Sequence, residues 1–344
     1  MSQVSTLAST VTSRLRPIYF VSHGGPTFMY REDEMGDAGA FDQISSIGKA
    51  LLEDPPKALV VVSAHWQEEY AKSPNGLPTI GITSTDGENS LIYDFYGFPK
   101  HMYKEEFHTR GSKQLSRYLA EKLSTTADGK PAFNAKLYGS RGFDHGLWVP
   151  FRVAFPQYSI QGDKNYVPFP VVQISLPSSP SGMRSRSPLD IQYETEVTHK
   201  LGTQLKELRD RLGDDIAIVC SGMSVHNLRD MWEYMGGVAP YGKRFEERLK
   251  AAVSEGPLSD RLEKLTSLFK DPVTREAHPT LEHIAPIAVA LGAAEEFIPS
   301  TGADATNAET KLTIDPKKDF EKASRLYTSL TSSLAWGIFK FGRD

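Results

Sequence analysis

Three apolar stretches of this chain end the same way, in small residues followed by a histidine. Leu59 to Val62 runs into Ser63-Ala64-His65-Trp66, and Pro17 to Val21 runs into Ser22-His23-Gly24-Gly25-Pro26. Ile216 to Cys220 runs into Ser221-Gly222-Met223-Ser224-Val225-His226. Short β-branched runs of this kind read as strands buried on both faces. In open α/β sheets ligands bind outside the carboxyl ends of the strands, so a histidine delivered there is well placed to hold a metal. For one such residue the plain alternative is a histidine hydrogen-bonded in a strand-to-loop turn. Three of the nine histidines in the same setting point to a metal site. Imidazole suits zinc, iron, copper or nickel, and the single cysteine, Cys220, leaves an all-nitrogen or nitrogen–oxygen donor set. Two histidines with a further histidine or carboxylate, and open positions, is the pattern of a catalytic metal rather than a closed structural one. Zinc there would point to hydrolysis through a bound hydroxide, iron(II) to oxygen chemistry. Residue identity leaves both open.

Other candidates surround these three. His145 sits in Gly142-Phe143-Asp144-His145-Gly146, read as a glycine-bounded loop. Glu282 and His283 are adjacent, in what reads as the first turn of a helix over Ile284 to Leu291 with Thr280 as N-cap. Being adjacent they point roughly 100° apart, so only one of them readily faces a given site. Ile92 to Pro99 packs four aromatic residues into eight positions. Tyr93 and Phe98 from that loop, with Trp66 and Trp148, either fill core or wall a pocket for a flat ring. A serine hydrolase built on Ser224 and His226 is poorly supported, because Gly222 to His226 lacks the second glycine of a nucleophile elbow.

The elements that must position these residues alternate between strand and helix. Strands are expected near Pro17–Val21, Leu59–Trp66, Thr79–Thr83, Phe133–Leu137, Tyr166–Leu176 and Ile216–Cys220. Helical periodicity covers Phe41 to Leu52, Tyr103 to Leu123, Tyr193 to Leu212 closed by Gly213, and Phe245 to Phe269. A last helix over Phe320 to Leu330 and an edge strand at Trp336 to Phe341 complete the pattern. This predicts one three-layer α/β/α domain with a mainly parallel, mixed central sheet. Residues 1–16 read as a flexible tail, with some character of a mitochondrial presequence. Residues 17–344 are expected to form the domain, with loop insertions near 177–190, read as a mobile surface loop, and 299–316, read as polar and exposed.

Composition narrows the partners. The 344 residues are 39% hydrophobic and 24% charged with a net charge of −4, ordinary for a soluble protein. No basic cluster is interleaved with aromatic residues, which argues against nucleic acid and anionic membranes. No apolar run is long enough to span a bilayer. A cytoplasmic monomer or homodimer is expected.

Taken in order, the stretches Ser22 to Pro26, Ser63 to Trp66, Ile92 to Pro99, Gly142 to Pro150, Ser221 to Leu228 and His278 to Leu291 resemble a known family. They are similar to the LigB-type extradiol ring-cleaving dioxygenases, in the branch that acts on DOPA. The resemblance runs from about residue 17 to residue 291. One departure is Gly25, where that branch usually has serine. The resemblance implies that His23, His65 and His283 hold the metal, with Glu282 the competitor for the third position. It implies that His226 is the catalytic base, or a fourth ligand when zinc replaces iron. It also implies that His145 faces the same pocket and orients the substrate hydroxyls or oxygen. Iron(II) is then the metal expected for activity and zinc the ion expected in isolated protein. Substrates would be a small catechol-type diol and dioxygen, opened to a muconic semialdehyde. A zinc-dependent hydrolase on the same residues, or a non-enzymatic binding protein like the related Memo family, are the alternatives.

Overall fold

A computed structural model describes residues 16–70, 76–212, 215–294 and 323–342. In chain order its first half comprises β1 (Ile18–Ser22), α1 (Ala38–Glu53), β2 (Ala58–Gln67), β3 (Thr79–Thr83), α2 (Lys113–Leu123), β4 (Asn134–Tyr138), α3 (His145–Ala154) and β5 (Val171–Leu176). Then follow α4 (Pro188–Leu212), β6 (Ile216–Gly222), β7 (Val225–His226), α5 (Pro240–Ser254), α6 (Leu258–Lys270), α7 (Pro272–Ala277) and α8 (Pro286–Ala293). The chain closes with β8 (Ala323–Tyr327), β9 (Leu330–Thr331), β10 (Leu334–Ala335) and β11 (Ile338–Phe341).

The main sheet has eight strands in the order β4-β3-β5-β2-β6-β1-β11-β8. Its centre is parallel: β5, β2, β6 and β1 run in one direction, in register from Val172, Val60, Ile218 and Ile18 onward. β11 and β8 add antiparallel strands on one side, and β3 pairs antiparallel with β5 on the other. The result is a mixed sheet in a single α/β domain, as the alternating pattern predicts. A three-stranded ribbon, β7-β10-β9, lies beside it.

Because side chains alternate along a strand, the central strands feed two separate cores. Ile18, Phe20, Val60, Val62, Ile218 and Cys220 pack with α4, α5, α6 and α8 on one face. Tyr19, Val21, Leu59, Val61, Ala217 and Val219 pack with α1 and α3 on the other. Helix α8 is buried at every position, so it is an interior helix rather than an amphipathic cover. It sits backbone to backbone on α4. A Cβ at Gly202 would come within 2.1 Å of the Val289 carbonyl oxygen, and one at Gly292 within 2.2 Å of that of His199.

Several expected elements take a different form. The helix expected from Tyr103 begins only at Lys113, where the Ser112 side chain accepts from the Leu115 amide. Residues before it pair instead with the chain near Glu88, through Asn89 N–H to Thr109 O and a bridge between Glu88 and Arg110. Tertiary pairing there overrides a helical periodicity. The expected helix from Phe245 to Phe269 is two, α5 and α6, broken where Gly256 takes a φ of +77° ahead of Pro257. Residues 323–327 of the expected terminal helix form β8; 320–322 lie outside the described residues. β11 is interior, between β1 and β8, and Trp336 precedes it. His145 opens a helix rather than lying in a loop, and Glu282 and His283 lie in the turn ahead of α8, not in its first turn. Thr280 donates to Glu282 Oε1 at 2.6 Å instead of capping that helix. Residues 177–187 are irregular as expected, yet Ser178, Ser179 and Met183 are buried, so the segment is not wholly a surface loop. The tail through residue 15, Gly213 and the insertion at 299–316 lie outside the described residues. Among the described residues no helix is long and apolar enough to cross a membrane.

Candidate metal centre

β1, β6 and β2 are adjacent and parallel, so their carboxyl ends meet at one rim. His23 follows β1 and anchors its amide to Gly222 O at 2.9 Å. His65 lies near the end of β2 with the same parity as Leu59 and Val61, and therefore faces α3. His283 arrives from the turn before α8. Its carbonyl accepts from Met223 N at 2.8 Å and lies so close to β6 that a Cβ at Gly222 would come within 2.1 Å of it.

The three rings converge. His23 Nε2 lies 3.0 Å from His65 Nε2, and His283 Nε2 lies 3.2 Å from the same atom. Metal–imidazole bonds of about 2.1 Å give nitrogen–nitrogen edges of about 3.0–3.4 Å for ligand angles between roughly 90° and 110°. The observed spacing therefore fits three ligands of one ion, and these three form a candidate metal-holding group.

The outer nitrogens explain why the inner ones are free to ligate. His23 Nδ1 lies 3.0 Å from Ser221 Oγ, whose own proton goes to the Gly146 carbonyl, so the hydroxyl accepts from the ring. His283 Nδ1 lies 3.3 Å from Glu282 Oε1. His65 Nδ1 lies 3.6 Å from Asp94 Oδ2. The outer nitrogens of His23 and His283 each meet an acceptor and so carry the proton, and that of His65 faces a carboxylate, which turns the three inner nitrogens toward one point. Without a cation that arrangement is repulsive. Burial, then the neighbouring histidines, pushes His23 and His65 well below the ordinary imidazole range, so both are neutral as ligands must be.

Glu282 thus stands behind His283 rather than beside the ligands. Burial opposes its ionisation, but His283 and the Thr280 hydroxyl hold its carboxyl down to about 2. His226 belongs neither to this group nor to the second cluster with metal-holding spacing, His65, Asp94 and His145; its ring lies flat on that of His283. Burial first, and His283 next, keeps His226 well below the usual imidazole range. His145 stands with its ring centroid 3.9 Å from that of His65 and 5.7 Å from that of His23. Gly146 is what lets α3 come this close, since a Cβ there would meet Ser63 Oγ at 2.5 Å and His65 Cδ2 at 2.7 Å.

The aromatic candidates divide differently. Trp66, one residue beyond His65, leaves the sheet on the opposite side. It packs edge-on to Tyr138 under the Arg141 guanidinium, beside a separate cavity of about 660 Å³. Trp148 is wholly buried and donates its indole N–H to Ile92 O at 2.9 Å, so it has no face open to a ligand. Tyr93 stacks edge-on against Trp148 and donates its hydroxyl to Glu105 O at 2.6 Å. Phe98 packs edge-on to Phe95 and donates its amide to the Tyr103 hydroxyl at 3.4 Å. The aromatic ring nearest the histidines is Phe95, 5.9 Å from that of His145.

Two residues at this site were not singled out from the sequence, Phe95 and Asp94. Asp94 Oδ1 accepts from the His145 amide at 2.8 Å and lies 3.0 Å from His145 Nδ1, oblique to that ring's N–H direction. Burial raises its carboxyl, but the ring and amide of His145 hold it below the usual carboxylate range. The available signal was one carboxylate between two aromatic residues, Tyr93 and Phe95.

Comparisons with known proteins give the family. The model of the family "catalytic LigB subunit of aromatic ring-opening dioxygenase" matches residues 17–310. A 4,5-DOPA dioxygenase extradiol-like protein of Schizosaccharomyces pombe is 29% identical over 290 residues, covering 81% of this chain and 85% of that protein. The 4,5-DOPA dioxygenase extradiol of Portulaca grandiflora is 30% identical over 280 residues, covering 81% and 86%. That of Escherichia coli is 30% identical over 288 residues, covering 82% and 87%. The crystal structure of an uncharacterised Escherichia coli protein superposes with a TM-score of 0.59 at 23% identity, covering 96% of this chain and all of the other, which supports the fold alone. The chain belongs to the LigB family of aromatic ring-opening dioxygenases, which are metal-dependent oxidoreductases.

Proposed function

We propose that the protein cleaves a catechol-type ring, of the size and polarity of DOPA, beside its two hydroxyls, using dioxygen and iron(II) and releasing a muconic semialdehyde. The observation that carries this reading is the convergence of His23, His65 and His283, with the outer nitrogens of His23 and His283 on acceptors and that of His65 facing Asp94. The names of the relatives as extradiol dioxygenases favour it over a zinc hydrolase on the same ligands. When bound, the metal supplies a positive charge that lowers the pKa of the diol and a route for electrons from the ring to dioxygen.

The chain's own residues do the rest. His226, held neutral by burial against His283, accepts the proton of a substrate hydroxyl. His145, on the first turn of α3, presents its ring on the opposite side of His65 and positions a substrate oxygen. Phe95 closes that side against water, backed by Tyr103 and Trp148. Zinc, which suits the same three nitrogens, occupies the site in protein isolated without added iron.

Oxygen uptake over a panel of catechols, with iron(II) added anaerobically under reducing conditions, tests the proposal. Stoichiometric oxygen consumption with a yellow semialdehyde chromophore is expected. Iron-loaded protein that consumes no oxygen with any catechol, yet hydrolyses an ester or amide, sinks it.

A further inference from the structure

We propose that Asp94 is a positioning residue, holding His65 and His145 in the orientations that let both serve one metal centre. The inference rests on the assignment of His23, His65 and His283 as ligands. A metal-ligating histidine usually directs its second nitrogen at a carboxylate, carbonyl or water, which sets both tautomer and ring angle. His23 has Ser221 and His283 has Glu282 in that place, and Asp94 is the acidic group that faces His65 Nδ1, at 3.6 Å. The same carboxylate takes the His145 amide at 2.8 Å and approaches its Nδ1 to 3.0 Å. One anion therefore accepts from the His145 amide and faces the outer nitrogen of His65, two histidines whose ring centroids are 3.9 Å apart.

The placement of Asp94 is fixed by its surroundings. The loop from Ser90 to Phe95 is tied to the start of α3 by Phe143 N–H to Ser90 O, Ile92 N–H to Phe143 O and Trp148 Nε1–H to Ile92 O. On either side of Asp94, Tyr93 is held by its hydroxyl on Glu105 O and Phe95 by packing against Tyr103. These contacts hold the Asp94 backbone where its carboxylate meets the amino end of α3, which favours negative charge.

Anchoring α3 alone would be a purely structural role, and it can be separated. Asp94→Asn keeps the volume and an oxygen to accept the His145 amide but removes the charge. Asp94→Ala removes both. Each variant and the wild type are stripped of metal and titrated with zinc against a chromophoric chelator, with cobalt(II) absorption recorded in parallel. The expected result is roughly 10- to 100-fold weaker zinc binding by Asp94→Asn, an altered cobalt spectrum, and a metal-free melting temperature close to that of the wild type. Zinc binding by Asp94→Asn equal to the wild type overturns the proposal, whether or not Asp94→Ala folds. A wild type that binds no zinc overturns the ligand assignment and this inference together. Normal metal binding with no ring cleavage overturns only the proposed activity.

Discussion

The imidazole of His226 lies flat against that of His283, with ring centroids 3.6 Å apart and planes inclined by 12°. Stacking fixes the His226 ring beside the metal-facing nitrogens without making it one of them. His226→Ala should therefore retain metal binding within a few-fold while turnover falls by about 10²- to 10⁴-fold, the usual worth of a general base. Metal content by mass spectrometry and oxygen uptake on the same sample check this. Wild-type turnover in the variant would remove the assigned role.

His65 Nε2 is the shared vertex, 3.0 Å from His23 and 3.2 Å from His283. His65→Ala leaves two nitrogens that no longer share a neighbour, and stoichiometric metal binding should be lost. Equilibrium dialysis with zinc measures it. A variant that still holds one equivalent tightly would place the ligands elsewhere.

Gly146 has no room for a side chain. A methyl group would sit 2.7 Å from His65 Cδ2 and 2.5 Å from Ser63 Oγ. Gly146→Ala should displace the His65 ring and weaken metal affinity by at least tenfold, with retained secondary structure by circular dichroism. Unchanged affinity would mean that α3 can withdraw without disturbing the histidines.

Cys220 is fully buried in β6, and burial pushes its thiol far above the usual range. A thiolate is needed for reaction, so the native protein should be inert to a disulfide reagent at pH 8 and titrate one thiol after denaturation. Rapid labelling of folded protein would contradict the packing of that strand.

Glu246 is also buried, with Oε2 accepting from Thr328 at 2.8 Å, and burial raises its carboxyl above the ordinary value. A carboxyl raised in the folded state binds more protons folded than unfolded. Its ionisation therefore removes stability as pH rises from the unfolded value through the raised one. Glu246→Gln lacks this loss, so its melting temperature relative to the wild type should increase between pH 4 and pH 8. A difference that stays flat, or declines, across that range would refute the assignment.

The sequence made the rim legible because strand parity is local. Val61, Ser63 and His65 share one face of β2, and a buried β-branched run with small residues and a histidine at its end shows where the chain leaves the sheet. His23 and His65 were readable on those grounds. The family resemblance, not the spacing, marked His283, and adjacency to Glu282 left two candidates for the corner.

Only the tertiary structure separates them, because what differs is which side chain the turn before α8 sends toward β6. There the Gly222–His283 backbone contact places the histidine inward and leaves its neighbour to hold the outer nitrogen. Trp66 shows the same limit from the other direction. One residue beyond His65, it lies on the opposite side of the sheet, so nearness in sequence did not mean nearness to the site. Asp94 and Phe95 were hidden in a loop whose composition reads as core. What brings them to the histidines is the hydrogen bonding of that loop to the start of α3, a contact across some fifty residues of chain that no local pattern encodes. Strand parity and residue type are properties of short segments, whereas the convergence of ring nitrogens from β1, β2 and the turn ahead of α8 exists only once the sheet has assembled.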